Sequence, residues 1–310
     1  MAESSTSAFR IAPATRPAAF TTLRAAVPAL WTLTKPEVNF LIVIAAFAGF
    51  YLGCPGNPHS FPFSRLFSTL IGTLLVASGT GALNQYLEHS FDARMRRTCR
   101  RPIAAGTLHP STARWFGISL SIGGAAYLAF TVNALASLLA VLTLTSYLFL
   151  YTPLKRKTPL CTLVGALPGA MPPLIGWAAA SNSIAGGMAW ILYAALFLWQ
   201  FPHFMAIAWI YREDYARAGY RIFPVKGESR FLAWLTLGPS AALFVASLVA
   251  VAADRGGMLS YCATAVLGAL LLHYASLQVL HRSRIAARDL LKATIIYLPL
   301  EFLILALAKG

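Results

Sequence analysis

The chain has 310 residues, 58% of them hydrophobic and only 11% charged, less than half of the roughly 25% charge usual in soluble domains. It cannot cover its own surface with polar groups, and it is too poor in charge to be a disordered chain, so a bilayer is its natural solvent. A net charge of +15, from 25 Lys and Arg against 10 Asp and Glu, has no compact basic domain behind it that would grip nucleic acid; in a membrane protein it reads as loop topology and attraction to anionic lipid.

Residues 1–30 are rich in Ser, Thr, Ala and Pro, with Arg10, Arg16 and Arg24 and a single acid, Glu3. They lack the apolar run of a secretory signal and read as a cytoplasmic tail ahead of one intramembrane domain, 31–310. From there apolar runs of about twenty residues recur, each enough to span ~30 Å as a helix: 37–53, 66–88, 114–132, 134–152, 162–180, 187–211, 231–253, 257–280 and 288–308. The expected fold is all-α and polytopic, a bundle of about nine transmembrane helices with a central cavity open toward the cytoplasmic face. Gly165, Pro168, Gly169, Pro172 and Pro173 fall inside one run, where they suit close packing or a kink lining a cavity. With nine spans, all of the 25 Lys and Arg except Arg65, Arg255 and Lys309 fall on the side of the N-terminal tail, which places that side in the cytoplasm. Cys54, Cys99, Cys161 and Cys262 are scattered without a CxxC or a Cys/His cluster, arguing against a zinc site or a disulfide framework.

The chemistry gathers on that basic face. Asn84, Glu88 and Asp92 follow one another at intervals of four and share one stripe at the end of the second run. Two carboxylates on one stripe repel unless a cation lies between them, and Asp, Glu and Asn oxygens suit Mg²⁺, which completes its shell with phosphate and water. Arg94, Arg96, Arg97, Arg100 and Arg101 come next, so the segment reads as a site for a polyanion such as pyrophosphate; the plainer alternative is a frayed helix end with ordinary loop charges. The end of the sixth run repeats the pattern, with Glu213 and Asp214 followed by Arg217, Gly219, Arg221 and Pro224. The two segments lie four spans apart, like halves of a degenerate repeat facing one cavity. Lys155-Arg156-Lys157 and Lys35 add cations that either stay solvated or close over phosphate.

These residues resemble the intramembrane UbiA-type prenyltransferase superfamily, and more closely its protohaem IX farnesyltransferase (haem O synthase) branch. The resemblance rests on Asn84, Glu88 and Asp92 continuing as Met95, Arg97, Thr98, Arg101 and Pro102; on Leu33-Thr34-Lys35-Pro36; on Tyr151-Thr152 with Lys155-Arg156 and the Gly169 to Trp177 block; and on Trp199-Gln200-Phe201-Pro202-His203-Phe204 with Tyr211, Asp214, Tyr215 and Gly219. It covers roughly residues 30–300. Ile210 stands where quinone-prenylating relatives carry a further Asp.

What the resemblance implies is transfer of a farnesyl group from farnesyl diphosphate to a vinyl group of haem B, with addition of water, to give haem O and pyrophosphate. Asn84, Glu88, Asp92 and Asp214 would be catalytic and hold Mg²⁺; Lys35, Arg97, Arg101, Lys155 and Arg156 would clamp the diphosphate. Tyr86, Tyr151 and Trp199 would offer aromatic faces to an allylic cation. His203, behind Pro202 and eleven residues before Asp214, would line the haem pocket as axial ligand or hydrogen-bond donor, about 16 Å deeper than the metal site, with Trp199 and Phe204 as apolar walls. A bacterial inner membrane is the expected location, ahead of a mitochondrial one, with haem A synthase or terminal-oxidase assembly as contacts. The alternatives are a prenyltransferase acting on a quinone precursor, a transporter of an anionic substrate, which would carry charge on broken helices near the midplane, and a non-catalytic assembly scaffold.

Overall fold

Prolines and short polar caps begin the helices where the apolar runs break. Pro36 and Pro110 stand at first helical positions, where a missing N–H costs nothing. Asn133 Oδ1 accepts from the Ala136 amide at 2.8 Å, and Ser283 Oγ from the Ala286 amide at 3.0 Å. The computed structural model describes residues 23–54, 61–221 and 229–309; most of the expected tail, and the segment holding Pro224 and Lys226, lie outside them. Every regular element in the described residues is helical. In chain order they are α1 (Leu23–Leu33), α2 (Pro36–Gly53), α3 (Phe63–Asp92), α4 (Pro110–Thr131) and α5 (Ala134–Thr145). A π-helical turn, Ser146–Tyr151, leads into the short α6 (Thr152–Leu154). Then come α7 (Cys161–Gly169), α8 (Met171–Ser181), α9 (Gly187–Ile210), α10 (Arg212–Ala218), α11 (Ser229–Ala253), α12 (Met258–His281) and α13 (Arg284–Ala308).

Eight helical stretches in the described residues are long and apolar enough to cross a membrane, and the chain is a multi-pass membrane protein. The ninth expected span, 114–132, is α4. Its 22 residues suffice in length, but Arg114, three serines and its glycines make it less apolar than the other eight. Its packing explains the tolerance. α4 runs antiparallel along α3, from Gly117 against Gly79 to Val132, whose carbonyl accepts from Arg65 Nη2 at 3.2 Å. A Cβ on Gly79 would meet the Gly117 carbonyl at 2.7 Å, so small residues here let two backbones approach, as helices in lipid favour.

Two apolar cores result. One joins α2 to α9, α11, α12 and α13 around Trp199, Leu243, Leu271 and Tyr297; the other joins α2 to α3, α4, α5 and α8 around Phe50, Leu128 and Leu174. α2 therefore sits between the halves, pressed so closely on α8 that a Cβ on Gly176 would collide with the Ala46 carbonyl. The outer surface carries exposed Phe40, Phe67, Ile122, Phe130, Trp234 and Leu303, a lipid-facing band. The Pro/Gly-rich run breaks at Ala170, between α7 and α8, and there Gln200 Nε2 donates at 2.9 Å to the Ala166 carbonyl, which also accepts from the Ala170 amide at 3.1 Å, tying α9 to the break.

Candidate active site

α3 has 30 residues, about 45 Å of helix against a hydrocarbon core of ~30 Å. Its final turns therefore stand clear of the thickest apolar layer, and they carry Asn84, Glu88 and Asp92. All three side chains are buried by protein rather than lipid.

The α1–α2 turn reaches this stripe first. Gln85 Nε2 donates to the carbonyls of Thr32 and Leu33 at 3.3 and 3.2 Å, and Asn39 Nδ2 donates to the Thr34 carbonyl at 2.8 Å and to Ser78 Oγ at 2.9 Å. Gly81 leaves room for the turn, since a Cβ there would stand 3.1 Å from the Leu33 carbonyl. Lys35 takes the left-handed conformation at φ 53° and donates from Nζ to Asn84 Oδ1 at 2.9 Å. Asn84 Nδ2 in turn donates to Glu88 Oε2 at 2.8 Å.

Glu88 is the hub. Lys155 Nζ donates to both of its oxygens, at 3.1 and 2.9 Å, and Tyr220 Oη donates to Oε1 at 2.9 Å. Lys155 comes from the turn after the π-helical segment, with Nζ 4.5 Å from the centre of the Tyr151 ring, and its carbonyl accepts from the Arg221 amide at 2.8 Å. One turn further along α3, Arg101 Nη1 donates to both Asp92 oxygens at 2.9 and 2.8 Å. Burial, with Arg101 and Lys155 nearby, lowers Lys35 to a pKa of about 7. Burial also opposes the Lys155 charge, yet Tyr151 and Glu88 hold its pKa well above the ordinary lysine value. Burial first, and then Glu88, push the Tyr220 phenol up, so it stays a donor.

The second segment meets the first directly. Asp214 Oδ2 accepts from the Arg97 amide at 3.1 Å, and its other oxygen pairs with Arg217. Met95, Ala218 and Tyr220, with Phe91 and Tyr215 against them, form the apolar pad between the two. Thus Lys35, Asn84, Glu88 and Lys155 share one bonded hub, the Asp92–Arg101 pair lies one turn along α3 from it, and Asp214 docks beside them through the Arg97 amide. Arg97 contributes its amide, while its guanidinium lies 4.9 Å from the centre of the Tyr211 ring; that of Arg156 lies 4.7 Å from Phe91. Tyr86, expected as a wall, packs instead toward α1 and α4 with Leu33 and Ile103. The gap of two residues turns it away from Asn84 on the helix. Tyr220, Gln85 and Asn39 escaped sequence reasoning because neutral polar residues have no pattern of their own; the signals were their places, after Gly219, beside Asn84 and after Pro36.

No group of three or more His, Cys, Asp or Glu side chains in the described residues stands close enough to hold a metal ion unaided. The carboxylates of Glu88, Asp92 and Asp214 are each matched to a cation of the chain itself. The donors are nonetheless all hard oxygens, the chemistry Mg²⁺ takes.

His203 lies elsewhere, between α9 and α13. Its ring stacks on Trp199 at 4.4 Å and Nδ1 lies 2.9 Å from Thr294 Oγ1. The Thr294 hydroxyl already donates to the Leu291 carbonyl at 2.7 Å, so it accepts from His203 Nδ1–H, leaving the imidazole lone pair on Nε2. Trp199 Nε1 donates to the Thr294 carbonyl at 2.7 Å, and Phe204 stands beside the histidine ring, 6.0 Å away between centroids.

Comparison with known proteins agrees with this geometry. The UbiA prenyltransferase family matches residues 42–297. The chain is 44% identical to the protoheme IX farnesyltransferase of Solibacter usitatus over 87% of this chain and 94% of that one. It is 40% identical to that of Koribacter versatilis, over 89% and 92%. Among solved structures it resembles a UbiA homologue from Aeropyrum pernix, with TM-score 0.66, 22% identity and coverage of 84% and 95%. Another, from Archaeoglobus fulgidus and bound to GPP and Mg²⁺, gives TM-score 0.62, 14% identity and coverage of 89% and 99%.

Proposed function

This chain belongs to the UbiA prenyltransferase family, and from that premise we propose that it transfers a farnesyl group from farnesyl diphosphate to a vinyl group of haem B, giving haem O and pyrophosphate. The carrying observation is the network in which Lys35, Lys155 and Arg101 converge on the Asn84, Glu88 and Asp92 stripe. It offers cations and oxygen donors together at one helix end, as a leaving diphosphate needs. In the reaction the allylic C–O bond breaks and its electron pair leaves with pyrophosphate. The vinyl π pair forms the new C–C bond, and water adds to the resulting cation with loss of one proton.

Asn84, Glu88, Asp92 and Asp214 are the residues that would hold Mg²⁺, which when bound supplies Lewis-acid neutralisation of the diphosphate. Without substrate, Lys155 and Arg101 neutralise the carboxylates; a diphosphate gives them a second anion to hold. Lys35, with its lowered pKa, becomes a full cation when the diphosphate arrives. Arg97 and Arg156 form the outer part of the clamp. The Tyr151 ring beside Lys155 is apolar cover for the developing cation. Haem B lies against Trp199, His203 and Phe204, with His203 Nε2 as the nitrogen available to iron.

The cradle faces the cytoplasm of a bacterial inner membrane, with the N-terminal side of α1 on that face, and contacts with haem A synthase or oxidase assembly belong to the same proposal. A transporter would carry charge on its broken helix; α7 and α8 carry none. The test is to incubate membranes holding the protein with haem B, farnesyl diphosphate and Mg²⁺. A heavier, more retained haem on chromatography is expected; unchanged haem B alongside a prenylated quinone precursor would move the chain to the sibling activity.

A further inference from the structure

A second cationic feature borders the cradle and shares Arg97 and Asp214 with it. A cavity of about 530 Å³ opens where the turn after α3, the α9–α10 junction and the α12–α13 turn meet. Arg96, Arg97, Arg212, Arg282 and Arg284 line it. Two carboxylates also face it: Glu213, and Asp214, which the Arg97 amide and Arg217 already engage. Five arginines therefore line it against two acids, with the first turn of α13, capped by Ser283, at the same wall. Helix starts and arginine forks both favour anions.

The two sites differ in make. The cradle is buried, uses lysines and is rich in carboxylates, so an anion there is best accompanied by a metal. The cavity is open and arginine-rich, and its excess positive charge suits an anion that comes without one. Planar guanidinium forks fit carboxylates in pairs. The placement narrows the choice. Ile210 lies seven residues beyond His203 on α9, about 10 Å of helix, and Arg284 lies ten residues before Thr294 on α13, about 15 Å. Thr294 is the partner of His203. The same two helices thus present an imidazole at depth and arginines at their mouth.

Resting on the proposed haem reaction, we infer that this cavity, chiefly through Arg282 and Arg284, holds the two propionate carboxylates of haem B, setting which edge of the porphyrin faces the farnesyl cradle. Haem B carries both carboxylates on one edge of an apolar plate, so a plate with its iron beside His203 can turn that edge along α9 and α13 toward the cavity mouth. Arg282 is fixed for the role by its place in the turn: its backbone is left-handed, at φ 46°, between two long helices.

The experiment uses the full chain in phosphatidylcholine bilayers, titrated with haem B and with its dimethyl ester while the Soret band is followed. Wild type should prefer the free acid by about tenfold or more, the worth of one to two charge-assisted hydrogen bonds. Arg282→Gln/Arg284→Gln should lose that preference and raise the KM for haem B, leaving the KM for farnesyl diphosphate in place. Equal binding of acid and ester by wild type would overturn the inference without any variant. So would a variant that keeps the preference, one that weakens farnesyl diphosphate instead, or an effect that appears only when phosphatidylglycerol is added, which would give the arginines to lipid headgroups. If wild type yields no prenylated haem, the functional reading itself fails; prenylated haem with no preference for the acid overturns the propionate site alone.

Discussion

Tyr220→Phe removes one oxygen from a hub that sequence patterns did not reveal. The ring keeps its packing against Phe91 and Tyr215, so the loss is confined to the 2.9 Å bond from the phenol to Glu88 Oε1. A hydrogen bond to a charged group contributes roughly 1.5–3 kcal/mol. Glu88 retains Lys155 and Asn84, so folding should survive, and the cost should appear as a misdirected carboxylate. If all of it is felt in the transition state, kcat/KM falls about 10- to 150-fold. The assay is prenylated-haem formation at saturating haem B and varied farnesyl diphosphate, with a thermal melt of the same sample. A double-mutant cycle with Glu88→Gln checks the route, because the two losses should overlap rather than add. A Tyr220→Phe enzyme with wild-type kcat/KM, or with effects that add to those of Glu88→Gln, would refute the claim that the phenol acts through Glu88.

Asp92→Asn and Glu88→Gln should each remove most turnover while the protein remains folded in the membrane, and chelation of Mg²⁺ should do the same to wild type; an Asp92→Asn enzyme with near-normal, Mg²⁺-dependent turnover would remove that residue from the site. Lys155→Ala should raise the KM for farnesyl diphosphate more than that for haem B, and should also lower stability by roughly 3–5 kcal/mol, since it strands the buried Glu88 carboxylate; a melt at the wild-type temperature would argue that the pair is solvated. A membrane-impermeant thiol reagent applied to intact cells should miss native Cys99 and label a cysteine placed at the exposed Arg255; labelling in the reverse sense would invert the topology. Gly176→Ala should destabilise the α2–α8 contact by roughly 1–3 kcal/mol through overpacking, read as a lower melting temperature with the substrate KM values held.

What could be read from the chain depended on whether the cause was local. The 84/88/92 stripe was legible because an interval of four is a property of one helix, and Asn84, Glu88 and Asp92 do lie on one element. The break between α7 and α8 was announced by Pro168, Gly169, Pro172 and Pro173. Span lengths came from apolar runs, and α4 was found by length although its serines and glycines mark it for another helix rather than for lipid. Pairings were not legible. Lys155 and Glu88 are 67 residues apart, and Tyr220 and Glu88 132; nothing short-range joins them. Arg97 shows the limit well: its position beside the acids was evident, but that its amide would serve Asp214 while its guanidinium turned to Tyr211 depended on how α10 docks. The π-helical turn before Thr152, which sets the angle at which Lys155 arrives, follows from packing that periodicity does not encode.

At the end of the bundle opposite the cradle, Lys309 donates from Nζ to the carbonyls of Tyr51 and Cys54, at 2.5 and 2.8 Å. Those carbonyls end α2, the helix wedged between the two cores. A ribosome delivers α2 early and Lys309 some 255 residues later, at about 5–20 residues per second. For that interval of roughly ten seconds or more, α2 must wait in the bilayer without this lysine, its Tyr51 carbonyl held by the Cys54 amide at 3.3 Å. The bond from Lys309 to the end of α2 is therefore a late step of assembly. A nascent chain halted before α13 would show membrane quality control an open seam where α13 packs on α2.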